Sequence, residues 1–373
     1  MEAARIVALS RLYDPSKPFN AQLRDLIRST HPQSGPIRIS PSGKRFDVSI
    51  DPVFMGEGRF LLVTDGIGTK GSLYWSDACV SNASQDAFAM VANDLAETGS
   101  LPIILQDHIM VQGENHQSIF MLVQRLVSLC QENQWEFSGE KYPAIITGGE
   151  TAIINTLNGM ELGITAIGYV KKGSEIGKSV QDRDVLIGIA SNGIHSNGIS
   201  FVMDGLLRKG ADLDSTLPYF EARVPRLTFR WELTKPANVY LEVVSSMIQK
   251  VLQAGASSPS EAIHGMVHIT GGGLSKLKEL SNPNVDILVN REHTLNPQSI
   301  FKYIHSDMNF SSKGMYSTFN NGIGYVVAVA PAYAQSLLEA ARNLFNADII
   351  GSVVSGNGKV IIESKYEPLS IEY

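Results

Sequence analysis

The sequence predicts an α/β (α+β) protein of two domains, each a sheet covered by helices. Three observations lead there. Short apolar runs that read as strands alternate with three-and-four-spaced apolar patterns that read as helices, in both halves of the chain. The 373 residues, 43% hydrophobic and 18% charged, suit two ordinary cores rather than a disordered chain. Each half also holds a strand that runs into a Gly-rich polar turn.

Taken in order, Arg5 to Tyr13 reads as a short apolar strand or helix, and Asn20 to Ser29 as a small helix. His31 to Gly43 has the Pro, Gly and Ser content of a loop. Phe60 to Thr64 predicts a buried strand that ends in the turn 65–71. Residues 83–97 predict a helix with Ala87, Met90, Val91 and Leu95 on one face. Leu101 to Leu105 predicts a strand with Gln106, Asp107 and His108 at its end. Asn115 to Cys130 predicts an amphipathic helix through Ile119, Leu122, Val123, Leu126 and Leu129. Ala144 to Thr147 is a strand entering Gly148-Gly149, and Leu162 to Val170 is another.

The polar, Gly-containing stretch from Lys171 places a domain boundary, giving divisions 1–58, 59–172 and 173–373. Beyond it come a strand from Asp184 to Ala190, the loop Ser191 to Gly198 and a helix near 199–209. Pro236 predicts the first position of a helix from Ala237 to Ala254, with Thr234 or Lys235 near its cap. Val267 to Thr270 enters a triple glycine, and a helix is expected from Leu274. Tyr325 to Val329 is a strand, Ala332 to Leu344 a helix, and strands 348–354 and 358–363 close the chain.

Net charge is −6 without any Lys/Arg block, which argues against a nucleic-acid partner. Two cysteines can neither build a zinc site alone nor staple a chain this long, so a reducing cytoplasm is expected. The N-terminus lacks the apolar core of a signal peptide, and no apolar run approaches the roughly 18 residues of a membrane span.

The first chemical candidate is Asp65-Gly-Ile-Gly-Thr-Lys70. Gly66 and Gly68 permit a tight turn whose N–H groups can face phosphate oxygens. Lys70 offers a point charge, and Asp65 would repel phosphate unless a cation lay between them. That combination fits a Mg²⁺-nucleotide. A plain surface hairpin is the competing reading. Gly66-x-Gly68-x-x-Gly71 also matches a dinucleotide fingerprint, but the acid about twenty residues on, Asp86, falls in a helical pattern.

Asp86, Asn93 and Asp94 share a face of that helix, an oxygen-bearing row suited to a hard cation or simply to water. Gly148-Gly149-Glu150-Thr151 offers close backbone approach and a carboxylate, or a helix-capping turn. The loop from Ser191 carries His195, Ser196 and Asn197, and could hold a sugar phosphate or an amide. His195 could act as a general acid/base or be an ordinary loop histidine. Thr270-Gly271-Gly272-Gly273 could place an anion at a helix N-terminus, and Thr318 to Gly324, with Asn320, forms another polar turn. Gly173 to Ser179 has the wrong spacing for a P-loop. His264 and His268, four apart, do not sit in a zinc-helix context.

Together these segments resemble the aminoimidazole ribonucleotide synthetase (phosphoribosylformylglycinamidine cyclo-ligase) family. The segments are Val63 to Lys70, Met90 to Leu95, Thr147 to Ala152, Asp184 to Gly198, His268 to Gly273 and Met315 to Gly324, all in the family's order. The resemblance implies a two-domain PurM-like fold, with an N-terminal sheet that forms a barrel in a homodimer and a C-terminal α/β sandwich. It also implies ATP and Mg²⁺ as cofactors and a small ribonucleotide as substrate. Asp65, Asp94 and Glu150 would be the metal acids. Asp65, Gly66, Gly68, Thr69, Lys70, Asn93, Asp94, Gly148, Gly149, Glu150 and Thr151 would hold the nucleotide. Ser191, His195, Ser196, Asn197 and Asn320 would face the substrate, and His195, Lys70 and Asp94 would carry catalysis.

The chain departs from the family pattern in places. The Gly-rich, Phe-containing loop usual upstream of the first motif is missing from residues 14–58. Ile153-Ile-Asn-Thr replaces Glu-Met-Pro-Gly, Ile194 replaces Pro, and Asn321 replaces Met. Those departures leave open a related ATP-dependent enzyme, such as a small-molecule kinase, or a nucleotide-binding paralogue without catalysis.

Overall fold

A computed structural model describes residues 18–42, 45–51, 56, 58–75, 79–137, 139–177, 179–218 and 227–373. The element expected over Arg5 to Tyr13 lies outside them. The chain divides into two compact units, Met1–Ala92 with Leu101–Tyr169, and Asn93–Ser100 with Val170–Tyr373. The short return, Asn93–Ser100, was not anticipated.

The first unit contains α1 (Pro18–Arg28), β1 (Ile37–Ser42), β2 (Arg45–Ile50) and β3 (Arg59–Gly66). A 3₁₀ turn, Gly68–Lys70, leads into α2 (Gly71–Tyr74) and α3 (Asn82–Ala96). There follow β4 (Leu101–Val111), α4 (His116–Glu132), β5 (Trp135–Phe137), β6 (Glu140–Tyr142), β7 (Ile145–Ile153) and β8 (Met160–Val170). The Asn115 side chain caps α4 by accepting the Ser118 N–H.

Four strands form an open sheet in the order β3-β8-β4-β7, with β8 antiparallel and β7 parallel to β4. Among the described residues these four strands close no barrel. Burial alternates along β8: Leu162, Ile164 and Ala166 face inward, while Thr165 is exposed. Leu62 on β3 remains 69% exposed. The antiparallel β4–β8 pair also removes the dinucleotide-fold reading of Gly66-x-Gly68-x-x-Gly71.

Several expectations are corrected here. The stretch expected to be a loop after His31 contains β1, paired antiparallel with β2. The segment before β1 is tied to β7: Thr30 Oγ1 accepts the Ile146 N–H, and His31 Nε2 bonds the Ile146 carbonyl. β4 and β7 outrun their apolar cores because they pair along their whole length, Asp107 opposite Gly149 and His108 opposite Glu150. Asp107 is thus within a strand rather than beyond one, and Gly148, Gly149 and Glu150 are not a strand-to-helix turn.

The second unit contains β9 (Val185–Ala190), α5 (Ile199–Arg208), α6 (Phe229–Leu233), α7 (Leu241–Gln253) and β10 (Ile263–His268). It continues with β11 (Val285–Val289), α8 (Ser299–Ser306), α9 (Ser312–Thr318), β12 (Ile323–Val329) and α10 (Ala334–Arg342). β13 (Ala347–Ser355), β14 (Val360–Glu363) and an unanticipated β15 (Ser370–Glu372) finish it. The sheet order is β10-β12-β9-β13-β11-β14-β15, antiparallel between neighbours except for β11 and β14. β12 is buried along its length, at the centre of the core.

Two helix starts differ from expectation. α7 begins at Leu241, not after Pro236. The Asn93 side chain donates to Asn238 O at 3.0 Å and accepts from Tyr240 N at 2.8 Å, holding the intervening backbone out of the helix. The segment after the triple glycine is a 3₁₀ helix, Gly273–Glu279. Gly273 has φ +54°, and a Cβ there would lie 2.5 Å from Phe319 O.

α3 is buried on nearly every side, not only on its apolar face. Its Asp86 is fully buried and pairs with Lys70 Nζ at 2.9 Å, while Tyr74 donates its hydroxyl to the same carboxylate. A buried carboxylate is tolerated only when paired and hydrogen-bonded. Asp86→Ala should therefore cost about 3–5 kcal/mol in urea unfolding, because it strands the Lys70 charge. Lys70→Met combined with Asp86→Leu should recover part of that loss. Equal losses in the single and double variants would show that the charge is not the cause.

Candidate functional site

In the first unit the expected nucleotide loop follows directly from β3. Asp65 is exposed at the strand end, and its Oδ1 accepts the Gly66 N–H at 2.7 Å. Ile67 N donates to Leu162 O at 3.2 Å, and Gly68 N donates to Glu161 Oε1 at 3.1 Å. The N–H groups of 66, 67 and 68 are thus already engaged, so the backbone cradle expected of Gly66 and Gly68 is not presented to a ligand in this conformation. Gly66 is needed for another reason: a Cβ there would lie 2.5 Å from Glu161 Oε1. Thr69 is exposed.

Lys70 has a completely buried side chain whose Nζ pairs with Asp86 Oδ2 at 2.9 Å inside the unit. The same pair takes Asp86 out of the expected cation row. Glu161 was missed by sequence reading, because it is one acid in a strand of alternating pattern. Burial pushes its carboxyl above the usual range and nearby Asp65 adds to this, while the Gly68 and Ile67 N–H groups oppose it.

On β7, Gly148 has φ +133°, Glu150 is exposed and Thr151 is half-buried. Gly149 leaves room for the Asp107 carboxylate: a Cβ would lie 2.3 Å from Oδ1. Burial pushes Asp107 up to about 7, and the Glu150 charge pushes in the same direction.

In the second unit Asp94 is the half-exposed acid at the end of α3, with 33% of its side chain accessible. Its Oδ1 is 3.0 Å from His268 Nδ1. Glu97 Oε1 accepts the His268 N–H at 2.7 Å and lies 3.6 Å from Lys276 Nζ. Burial pushes Glu97 up to about 7 against the opposing pull of Lys276. Asn93 is fully buried and bonds Asn238, Tyr240 and His268. His264 and His268 stand on β10, not on a zinc helix, and His264 pairs with Asp184 at 2.8 Å.

The loop after β9 is tied down in a similar way. Ser191 Oγ donates to Asn320 Oδ1 at 2.8 Å, and Asn320 Nδ2 donates to Gly193 O at 2.8 Å. Both side chains are buried, and their bonds tie the loop to the 318–324 turn. Gln298, which sequence reading missed, adds a bond from Nε2 to Ser191 O at 2.9 Å. His195 is 3% exposed, and its Nδ1 donates to Ile269 O at 3.2 Å. Ser196 is half-buried and Asn197 is exposed. Gly271 gives Asn197 room, since a Cβ would lie 3.2 Å from Asn197 Oδ1. The triple glycine thus serves packing, and its seven-residue 3₁₀ helix offers no extended N-terminus to an anion.

The chemistry that stays accessible is therefore mainly carboxylate: Asp65 and Glu150 in one unit, Asp94 in the other. A further consequence concerns Asp107. Between about pH 4 and pH 7 the folded protein keeps a proton there that the unfolded chain releases, so this group makes stability fall as pH rises through that window. Asp107→Asn should remove that component. Without added divalent cation, the urea midpoint of the variant should fall less from pH 5 to pH 8 than that of the wild type. Parallel profiles would refute the raised carboxyl.

The sequence family described as "AIR synthase related protein, C-terminal domain" matches residues 181–363. The chain is 30% identical over 307 residues to the phosphoribosylformylglycinamidine cyclo-ligase of Methanococcoides burtonii, covering 82% of this chain and 83% of that protein. It is 32% identical over 308 residues to the enzyme of the same name from Thermococcus gammatolerans, covering 81% of each. The crystal structure of HypE from E. coli superposes with a TM-score of 0.63, over 95% of this chain and 96% of that one, at 16% identity, a likeness of fold alone. Because relatives of 30% and 32% identity span about four fifths of both chains, the protein belongs to the phosphoribosylformylglycinamidine cyclo-ligase family.

Proposed function

We propose that this protein is an ATP-dependent cyclo-ligase that converts formylglycinamidine ribonucleotide to aminoimidazole ribonucleotide in purine biosynthesis. The observation that carries the reading is the similarity to enzymes of that name over about four fifths of both chains. Within the first unit Asp65 and Glu150 are exposed, and within the second Asp94 keeps 33% of its side chain accessible, which supports a metal role for each.

The donor set fits Mg²⁺. It is all oxygen, and Mg²⁺ is usually held by one or two carboxylates, substrate phosphates and water rather than by a protein cage. Among the described residues no three-acid cage occurs, and none is needed. Bound there, Mg²⁺ would supply charge neutralisation between carboxylates and the nucleotide phosphates.

Asp65, Glu150 and Asp94 hold the metal side of the nucleotide, with Thr69, Gly148, Gly149 and Thr151 beside them. Ser196 and Asn197 contact the ribonucleotide, and His195 acts on its proton transfers. Lys70, Asn93, Ser191 and Asn320 hold these groups in place. In the reaction the γ-phosphoryl group passes to the amide oxygen, a nitrogen attacks the activated carbon, and the C–O bond breaks to release phosphate. The protein's share is placement of the amide in line with the phosphoryl group and exclusion of competing water. The enzyme works in the cytoplasm as a homodimer whose open four-stranded sheets, with Leu62 on the exposed face, meet to complete a barrel.

Incubation with ATP, Mg²⁺ and formylglycinamidine ribonucleotide should yield ADP, phosphate and aminoimidazole ribonucleotide in equal amounts. A stable phosphorylated product would mean a kinase, and ADP release independent of that substrate would defeat the assignment. Asp65→Asn and Glu150→Gln should each lower kcat/KM for ATP by about 10²-fold or more, a loss of about 3 kcal/mol. Unchanged kinetics would remove those residues from the nucleotide site.

A further inference from the structure

The His268 side chain is fully buried on β10, yet one ring nitrogen meets the half-exposed carboxylate of Asp94. The other, Nε2, lies 3.2 Å from Asn93 Nδ2. The orientation of the Asn93 amide is dictated by its remaining bonds: Oδ1 accepts from Tyr240 N, and Nδ2 donates to Asn238 O. Reversing the amide would set oxygen against a carbonyl and NH₂ against an N–H. The amide therefore donates its second hydrogen to Nε2, which carries the lone pair. Nδ1 then carries the ring hydrogen and donates it to Asp94 Oδ1.

We propose that His268 is a positioning residue: the Asn93 amide sets its tautomer, and its Nδ1–H holds one oxygen of Asp94 so that the other is aimed outward at a divalent cation. The proposal rests on the metal role given to Asp94 above. Two further contacts hold the ring's own backbone, from Glu97 Oε1 to His268 N at 2.7 Å and from Lys276 Nζ to His268 O at 3.1 Å. Carboxylates that bind metals are commonly oriented by such outer hydrogen bonds, whose loss costs 10–100-fold in affinity. Every residue of the relay lies within the second unit.

The test measures Mn²⁺ binding by EPR, in the presence of a non-hydrolysable ATP analogue, for the full chain and three variants. His268→Leu, which removes the donor, should weaken Mn²⁺ by about 10–100-fold. His268→Asn places an amide N–H near the position of Nδ1 and should recover most of the affinity. If Asp94→Asn weakens Mn²⁺ but His268→Leu does not, the relay is wrong and the metal role of Asp94 stands. If Asp94→Asn leaves binding unchanged, the metal role fails and the proposal with it. Equal weakening in His268→Leu and His268→Asn would overturn the donor argument. A measurement on the wild type covers variants that do not fold: ¹⁵N NMR of the histidine side chains should show His268 Nε2 as the unprotonated nitrogen. The opposite tautomer would overturn the proposal.

Discussion

Asn93 stands where the chain passes from the first unit to the second, and its buried amide must find all its partners within the protein. Two of them, Asn238 O and Tyr240 N, delay the start of α7 by several residues. A third is His268, which lies beside the accessible acid Asp94. A buried amide left unsatisfied is costly, so the local backbone conforms to the side chain rather than the reverse. The turn of α3 that carries Asp94 is thereby fastened to β10 and to the lead-in of α7. The accessible acid inherits its position from groups that never reach solvent.

The same constraint sorts the polar residues of both units into two kinds. One kind is buried and reciprocally bonded: Lys70 with Asp86, Ser191 with Asn320, His264 with Asp184. The other kind stays accessible: Glu150 and Asn197, Asp65 with one oxygen on the Gly66 N–H, and Asp94 with one oxygen on His268. Asp107 and Glu97 stand between the two. Burial raises both to about 7. A cation next to such a carboxyl would draw out its proton.

The glycines follow a related division. Gly66 and Gly149 leave space for the carboxylates of Glu161 and Asp107. Gly273 leaves space for the carbonyls of Tyr316 and Phe319. A Gly-rich turn at a strand end thus signals close approach, but the approaching group is as often part of the chain as part of a substrate.

The sequence by itself determined the two-domain α/β plan, most helices and strands, and the family. Apolar periodicity and the ordered motifs are local properties of the chain, so α4, α5 and β12 were legible without coordinates. The accessible acids Asp65, Asp94 and Glu150 were legible for the same reason, as carboxylates beside Gly-rich or apolar runs. Only the tertiary structure decided which of their companions face inward. Lys70 and Asp94 look alike as charged residues in motifs, yet one is sealed against Asp86 and the other is left at the surface. The partner that makes the difference lies sixteen residues from Lys70 in sequence, and for Asp94 more than a hundred and seventy. Spacing along a chain does not encode such meetings; the packing that removes water from one side chain and leaves it around another does.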